Sequence, residues 1–139
     1  MIDFLRQFHG YWSIIVVLLT IIAFGLSLMA FLGKKEIDTK LRKISLFCLI
    51  SFHTQMVIGV FMLLLNSSLT TSYKILSSVN IIEHISMLLT SVLLITIFNS
   101  KIKKSTHISG AMLAMIGFVL FYVLSRVVIL VIEFYKINH

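Results

Sequence analysis

The 139-residue sequence contains no proline, a single cysteine and only five acidic residues. Without proline, no helix is forced to kink or stop at a missing backbone N–H. With Cys48 alone, no disulfide can close within the chain, and neither a paired-cysteine zinc site nor a CxxCH attachment motif is present. A Walker loop and a nucleophile elbow are missing as well. Charge is scarce: Asp, Glu, Lys and Arg make up 12% of the residues, against about 25% in a soluble domain. No polar stretch is long enough to form a soluble catalytic domain.

What fills the chain instead is apolar, at 59% of residues. Four runs, 11–32, 45–66, 79–99 and 110–132, each reach the roughly 20 residues that a helix needs to cross a bilayer. The first reads YWSIIVVLLTIIAFGLSLMAFL without a charge. It is longer than a signal-peptide core of about 7–15 residues, and no small-residue cleavage site follows, so it is expected to remain in the membrane. The runs do not alternate as the strands of a membrane β-barrel would. Helices are expected, because backbone polar groups in hydrocarbon must be bonded within their own segment. Connections of about 12, 12 and 10 residues predict antiparallel neighbours. The expected fold is all-α, a single transmembrane domain over 1–139 built as a four-helix up-down-up-down bundle.

The formal charge of +7 is concentrated in two connections: Lys34, Lys35, Lys40, Arg42 and Lys43 in one, Lys101, Lys103 and Lys104 in the other. Arg6, Lys74 and Lys136 lie toward the opposite side, and Arg126 lies within a helix. The positive-inside rule turns both basic connections to the cytoplasm, which puts both termini on the outer, periplasmic side of a bacterial inner membrane. The charge is a topology signal and not a nucleic-acid footprint; the partner it implies is the lipid bilayer.

Small and polar residues recur at steps of three and four, which keeps them on one helix face. The stripes run through His9, Ser13, Val16, Thr20, Ala23, Ser27 and Ala30 in the first helix, and Ser45, Cys48, Phe52, Gln55, Gly59, Met62 and Asn66 in the second. The third carries Ser77, Asn80, His84, Met87 and Ser91, and the fourth Met115, Val119, Tyr122, Arg126 and Glu133. Close helix packing accounts for the small residues. It accounts less well for the ionisable ones, since titratable groups in a span usually face the bundle interior, paired or functional. His53, Glu83, His84 and Arg126 are of this kind, with His9 at the outer boundary, whereas His107 and His139 fall outside the spans.

An ion pair between Glu83 and Arg126, and hydrogen bonds for the histidines, form one reading. Heme b forms the other. Two imidazoles from facing helices can ligate heme iron in a bundle, an arginine suits the propionates, and a glutamate beside a ligand can bond its second nitrogen or handle a proton. His9 and His84 lie on helices 1 and 3 and are the preferred pair. Their depths differ by roughly 14 Å when counted at ~1.5 Å per residue, against roughly 7 Å for His53 and His84. His53 is therefore the competing ligand, or a quinone or proton group. Copper held by histidine with Met56, Met87 or Met115 is a weaker option, because methionine is a common core filler.

The pattern HGYW (His9, Tyr11, Trp12), the His-x-Gln with glycine four residues on (His53, Gln55, Gly59), the Glu-His followed by methionine and a Ser-Lys end (Glu83, His84, Met87, Ser100, Lys101) and Arg126 together span nearly the whole chain. In these motifs it resembles a family of small four-helix membrane proteins of Bacteroidetes-type bacteria labelled cytochrome b-like. The sequence departs from that family at Ile85, where a proline often follows the Glu-His, and at Val127 and Val128, which replace Ile-Pro-Trp after the arginine. The resemblance implies heme.

The expected function is that of a small heme b protein of the membrane, passing electrons to or from quinone or a larger respiratory complex. His9 and His84 would ligate, Arg126 would hold propionates, and Glu83 would support the ligand or a proton. Two further classes are a cofactor-free accessory or assembly subunit of a larger membrane complex, and a membrane enzyme using His and Glu as acid–base groups.

Overall fold

The computed structural model describes residues 2–65 and 79–138, with side chains for residues 4–65, 82–129, 131 and 132. Among these the chain forms four helices: α1 (Ile2–Leu32), α2 (Thr39–Leu65), α3 (Val79–Lys104) and α4 (Gly110–Asn138). Each contains a segment long and apolar enough to cross a membrane.

The helices overrun the apolar segments. α1 begins at Ile2, which takes Arg6 and His9 inside the helix rather than at its edge. α2 starts at Thr39 because Asp38 caps it: its Oδ1 accepts the Leu41 N–H at 2.8 Å, and its carbonyl accepts that of Arg42. α3 continues through Lys101, Lys103 and Lys104, cations that favour the negative end of the helix dipole. Ser109 caps α4 through the Met112 and Leu113 N–H groups. The connections 33–38 and 105–109 are accordingly shorter than the apolar runs imply.

α1 closes with a Schellman turn, in which Lys35 N–H donates to the Ala30 carbonyl and Lys34 N–H to that of Phe31. The left-handed position falls on Lys34, with φ of 49°, and not on the adjacent Gly33.

α1 packs on α2 and α4, and α3 packs on the same two helices. The four form a ring in which α1 and α3 face each other diagonally. Ile95, Phe98 and Ile102 of α3 and Met112, Ile116 and Val119 of α4 fill its interior. Within the predicted stripes, Val16, Thr20, Ala23 and Ser27 are buried in α1, and Ser45, Cys48, Phe52 and Gln55 in α2. Ser91, Val119 and Tyr122 are buried in α3 and α4. Asn66 and Ser77, and the side chains of Asn80 and Glu133, lie outside the described residues. Buried hydroxyls are satisfied locally: Thr20 donates to the Val16 carbonyl and Ser27 to that of Ala23. Ser45 donates to Asn99 Oδ1 at 3.0 Å, joining α2 to α3. Large apolar side chains such as Ile14, Leu18, Phe47, Phe61, Leu93 and Phe121 point outward, the arrangement of a surface solvated by lipid.

One end of the ring is tied shut. Ile37 N–H donates to the Thr106 carbonyl at 2.7 Å, and Glu36 pairs with His107. Arg42 reaches across to the end of α3, where its guanidinium donates to the carbonyls of Ile102, Lys103 and Ser105. Those carbonyls belong to the last turn and its exit, where helical partners run out.

Candidate functional site

Toward the other end, the four helices leave a cavity of about 430 Å³, within the roughly 300–1,000 Å³ typical of small-molecule sites. α1 contributes Arg6, His9, Gly10 and Ser13; α2 contributes Phe52 and Gln55; α3 contributes Glu83, His84 and Leu88; α4 contributes Tyr122, Val123 and Arg126. The site therefore gathers His9, Glu83, His84 and Arg126 from three different helices.

The cavity is graded in polarity. Arg6, Gly10 and Glu83 are exposed at its rim, imidazole, amide and phenol groups line the middle, and Val16, Phe52, Leu88 and Val123 form apolar walls. Such a shape suits a ligand with an apolar body and a polar or charged edge.

The larger depth difference counted for His9 and His84 came from placing the end of α3 at Asn99. Because α3 runs to Lys104 and α1 ends at Leu32, the two histidines stand twenty and twenty-three residues from their helix ends, a gap of about 5 Å. Both line the cavity. His53 stands fourteen residues from the start of α2, roughly 21 Å along it. It does not line the cavity; its Nδ1 bonds the Leu49 carbonyl of its own helix at 2.8 Å.

The two cavity histidines differ in what their nitrogens meet. At His84, the Tyr122 hydroxyl lies 2.9 Å from Nδ1 and 3.3 Å from the His84 carbonyl oxygen. A hydroxyl has one hydrogen to give and the carbonyl can only accept. Both contacts are satisfied when Tyr122 donates to the carbonyl and accepts from Nδ1–H. Nε2 then carries the lone pair, has no partner among the described residues and is not buried.

At His9, the Gln55 amide nitrogen lies 3.1 Å from Nε2 and 3.3 Å from the His9 carbonyl oxygen. The carbonyl demands a donor there, which fixes the amide orientation and makes His9 Nε2 the acceptor. Nδ1 consequently holds the hydrogen, and it is buried without a partner, as is Gln55 Oε1. Gly59 lies beside the ring, where an added Cβ would make ordinary contact with His9 Cε1 at 3.7 Å. Next to this pair, Trp12 Nε1 donates to the Ser51 carbonyl at 3.1 Å and holds α1 on α2.

Arg126 is half-buried and lines the cavity together with His84 and Tyr122. Among the described residues it has no hydrogen-bond or ion-pair partner, and no contact of ion-pair length joins it to Glu83 although both line the cavity. Glu83 is exposed at the rim. Among the described residues, no cluster of three or more His, Cys, Asp or Glu side chains is set to hold a bare metal ion.

Arg6, Gln55 and Tyr122 line the cavity but were not singled out from sequence as site residues. Gln55 and Tyr122 stood on the packing stripes, and Arg6 among the outer charges. The usable signal was register: Arg6 precedes His9 by three residues and Tyr122 precedes Arg126 by four, each pair sharing a face. Compared with known proteins, the chain matches no family model, no curated protein and no solved structure.

Proposed function

We propose that this chain is a heme b protein of the bacterial inner membrane that takes part in electron transfer. The observation that carries the reading is His84, a cavity residue: its Nδ1 side is held by Tyr122, while its Nε2 has no partner among the described residues. Ligating histidines are usually fixed in this way through the nitrogen that does not bind metal. Heme, once bound, would supply the one-electron chemistry, and the residues would do the rest. His84 would donate its Nε2 lone pair to iron, and Tyr122 would hold the ring's tautomer and direction. Arg126, half-buried and without an ion-pair partner among the described residues, would face a propionate, as guanidinium suits carboxylate. Glu83, exposed at the rim, would exchange a proton with water. Apolar residues Val16, Phe52 and Leu88 would cover the macrocycle and exclude water.

The reading includes an up-down-up-down path with both termini on the periplasmic side. It is supported by the contact between the two basic connections, which meet at one end through Arg42, Ile37 and Glu36, and by the positive-inside rule. The cavity then lies in the outer half of the membrane, where quinone or a larger redox complex would exchange the electron.

The test is an optical spectrum of the detergent-purified chain, oxidised and dithionite-reduced, with His84→Ala alongside. Heme bands present in the parent and lost in the variant are expected. A colourless protein, even when expressed with added hemin, would overturn the reading and favour a cofactor-free accessory subunit.

A further inference from the structure

The difference between the two cavity histidines has a functional consequence. A bis-histidine site needs a free lone pair on each imidazole. His84 has one at Nε2, whereas the lone pair of His9 is engaged by the Gln55 amide and its other nitrogen bears a hydrogen. Gln55 cannot simply turn its oxygen toward His9, because the same amide nitrogen also serves the His9 carbonyl at 3.3 Å, and an oxygen placed there would face another oxygen. Gln55 is itself buried, 7% exposed. The His9 lone pair is thus taken up by Gln55, whereas that of His84 has no partner among the described residues.

We infer that Gln55 withholds His9 from iron, so that a heme held by His84 would remain able to take a small diatomic ligand of the carbon monoxide class. This inference rests on the heme reading above. Binding involves only donation of a lone pair from the diatomic molecule to iron, with no electron or proton supplied from elsewhere. His9, held by Gln55, then serves as part of the cavity lining and not as a ligand. Gln55 is a positioning residue, acting through His9.

The experiment uses the full chain in detergent, reduced with dithionite and titrated with carbon monoxide, the probe. The parent is expected to show a high-spin reduced spectrum that converts on adding carbon monoxide. Gln55→Leu frees the His9 lone pair. It is expected to turn the spectrum low-spin and to weaken carbon monoxide binding by about tenfold or more. Adding His9→Ala to Gln55→Leu should restore the parental behaviour, which separates ligation by His9 from a general loosening of the fold. A parent that binds heme but is low-spin and unreactive toward carbon monoxide would overturn the inference while leaving the heme reading intact. The same holds for a Gln55→Leu variant that folds and remains high-spin. A parent without heme bands overturns both.

Discussion

The Tyr122 hydroxyl bridges two atoms of one residue, His84 Nδ1 at 2.9 Å and the His84 carbonyl oxygen at 3.3 Å. The contact joins α4 to α3 and fixes which ring nitrogen of His84 faces the cavity with a lone pair. It also places a phenol rather than a carboxylate behind the imidazole, a neutral support that leaves the ring less basic than a carboxylate would.

Tyr122→Phe removes this support while keeping the ring that packs in the core. Loss of one such outer hydrogen bond typically weakens metal binding by about 10–100-fold. Hemin titration of the variant should show a fall of that size, with the helical content of the protein unchanged.

Arg126→Leu should weaken hemin binding by about 10–100-fold, the equivalent of a charge-assisted hydrogen bond of about 1.5–3 kcal/mol. Hemin dimethyl ester, which lacks the carboxylates, should bind parent and variant alike. Equal losses for both ligands would show that Arg126 acts on the fold and not on an anionic edge.

Arg42 donates to three carbonyls at the end of α3, at 2.6, 3.0 and 3.1 Å. Arg42→Met leaves those carbonyls to water and should cost about 2–3 kcal/mol, measured by reversible unfolding in mixed micelles. Arg42→Lys should recover less than half of the loss, because an ammonium lacks the guanidinium fork.

Lys34 holds a left-handed backbone conformation, φ 49°. That conformation costs a residue with a Cβ about 1–2 kcal/mol, part of which glycine returns as unfolded-state entropy of about 0.5–1 kcal/mol. Lys34→Gly should therefore stabilise the protein by about 0.5–1 kcal/mol in the same unfolding assay. A destabilised variant would mean that the lysine charge at this end outweighs the backbone strain.

The helical character of the chain was legible because it follows from local physics. Twenty apolar residues without proline must satisfy their backbone internally in lipid, and the stripes of small residues mark the faces that then meet. Val16, Thr20, Ala23 and Ser27, read from spacing alone, are buried in the structure. The helix ends were harder to read, because hydropathy fades where caps take over. Asp38 starts α2 inside a charged stretch, and the lysines after Asn99 extend α3 rather than end it.

His9, Glu83, His84 and Arg126 stood out because ionisable groups in an apolar helix are costly wherever they lie. That they line one cavity, and that His53 does not, depends on helix lengths and rotations that no single segment encodes. The roles of Gln55, Tyr122 and Arg42 belong to the same level. Each is an ordinary residue on its own helix, and acquires its partner from residues 38 to 63 positions away. The sequence by itself determined four apolar helices, their inward faces and the scarce charges they carry. The tertiary structure decided which nitrogen of each histidine is free, because a hydrogen bond between helices exists only once the bundle has closed around it.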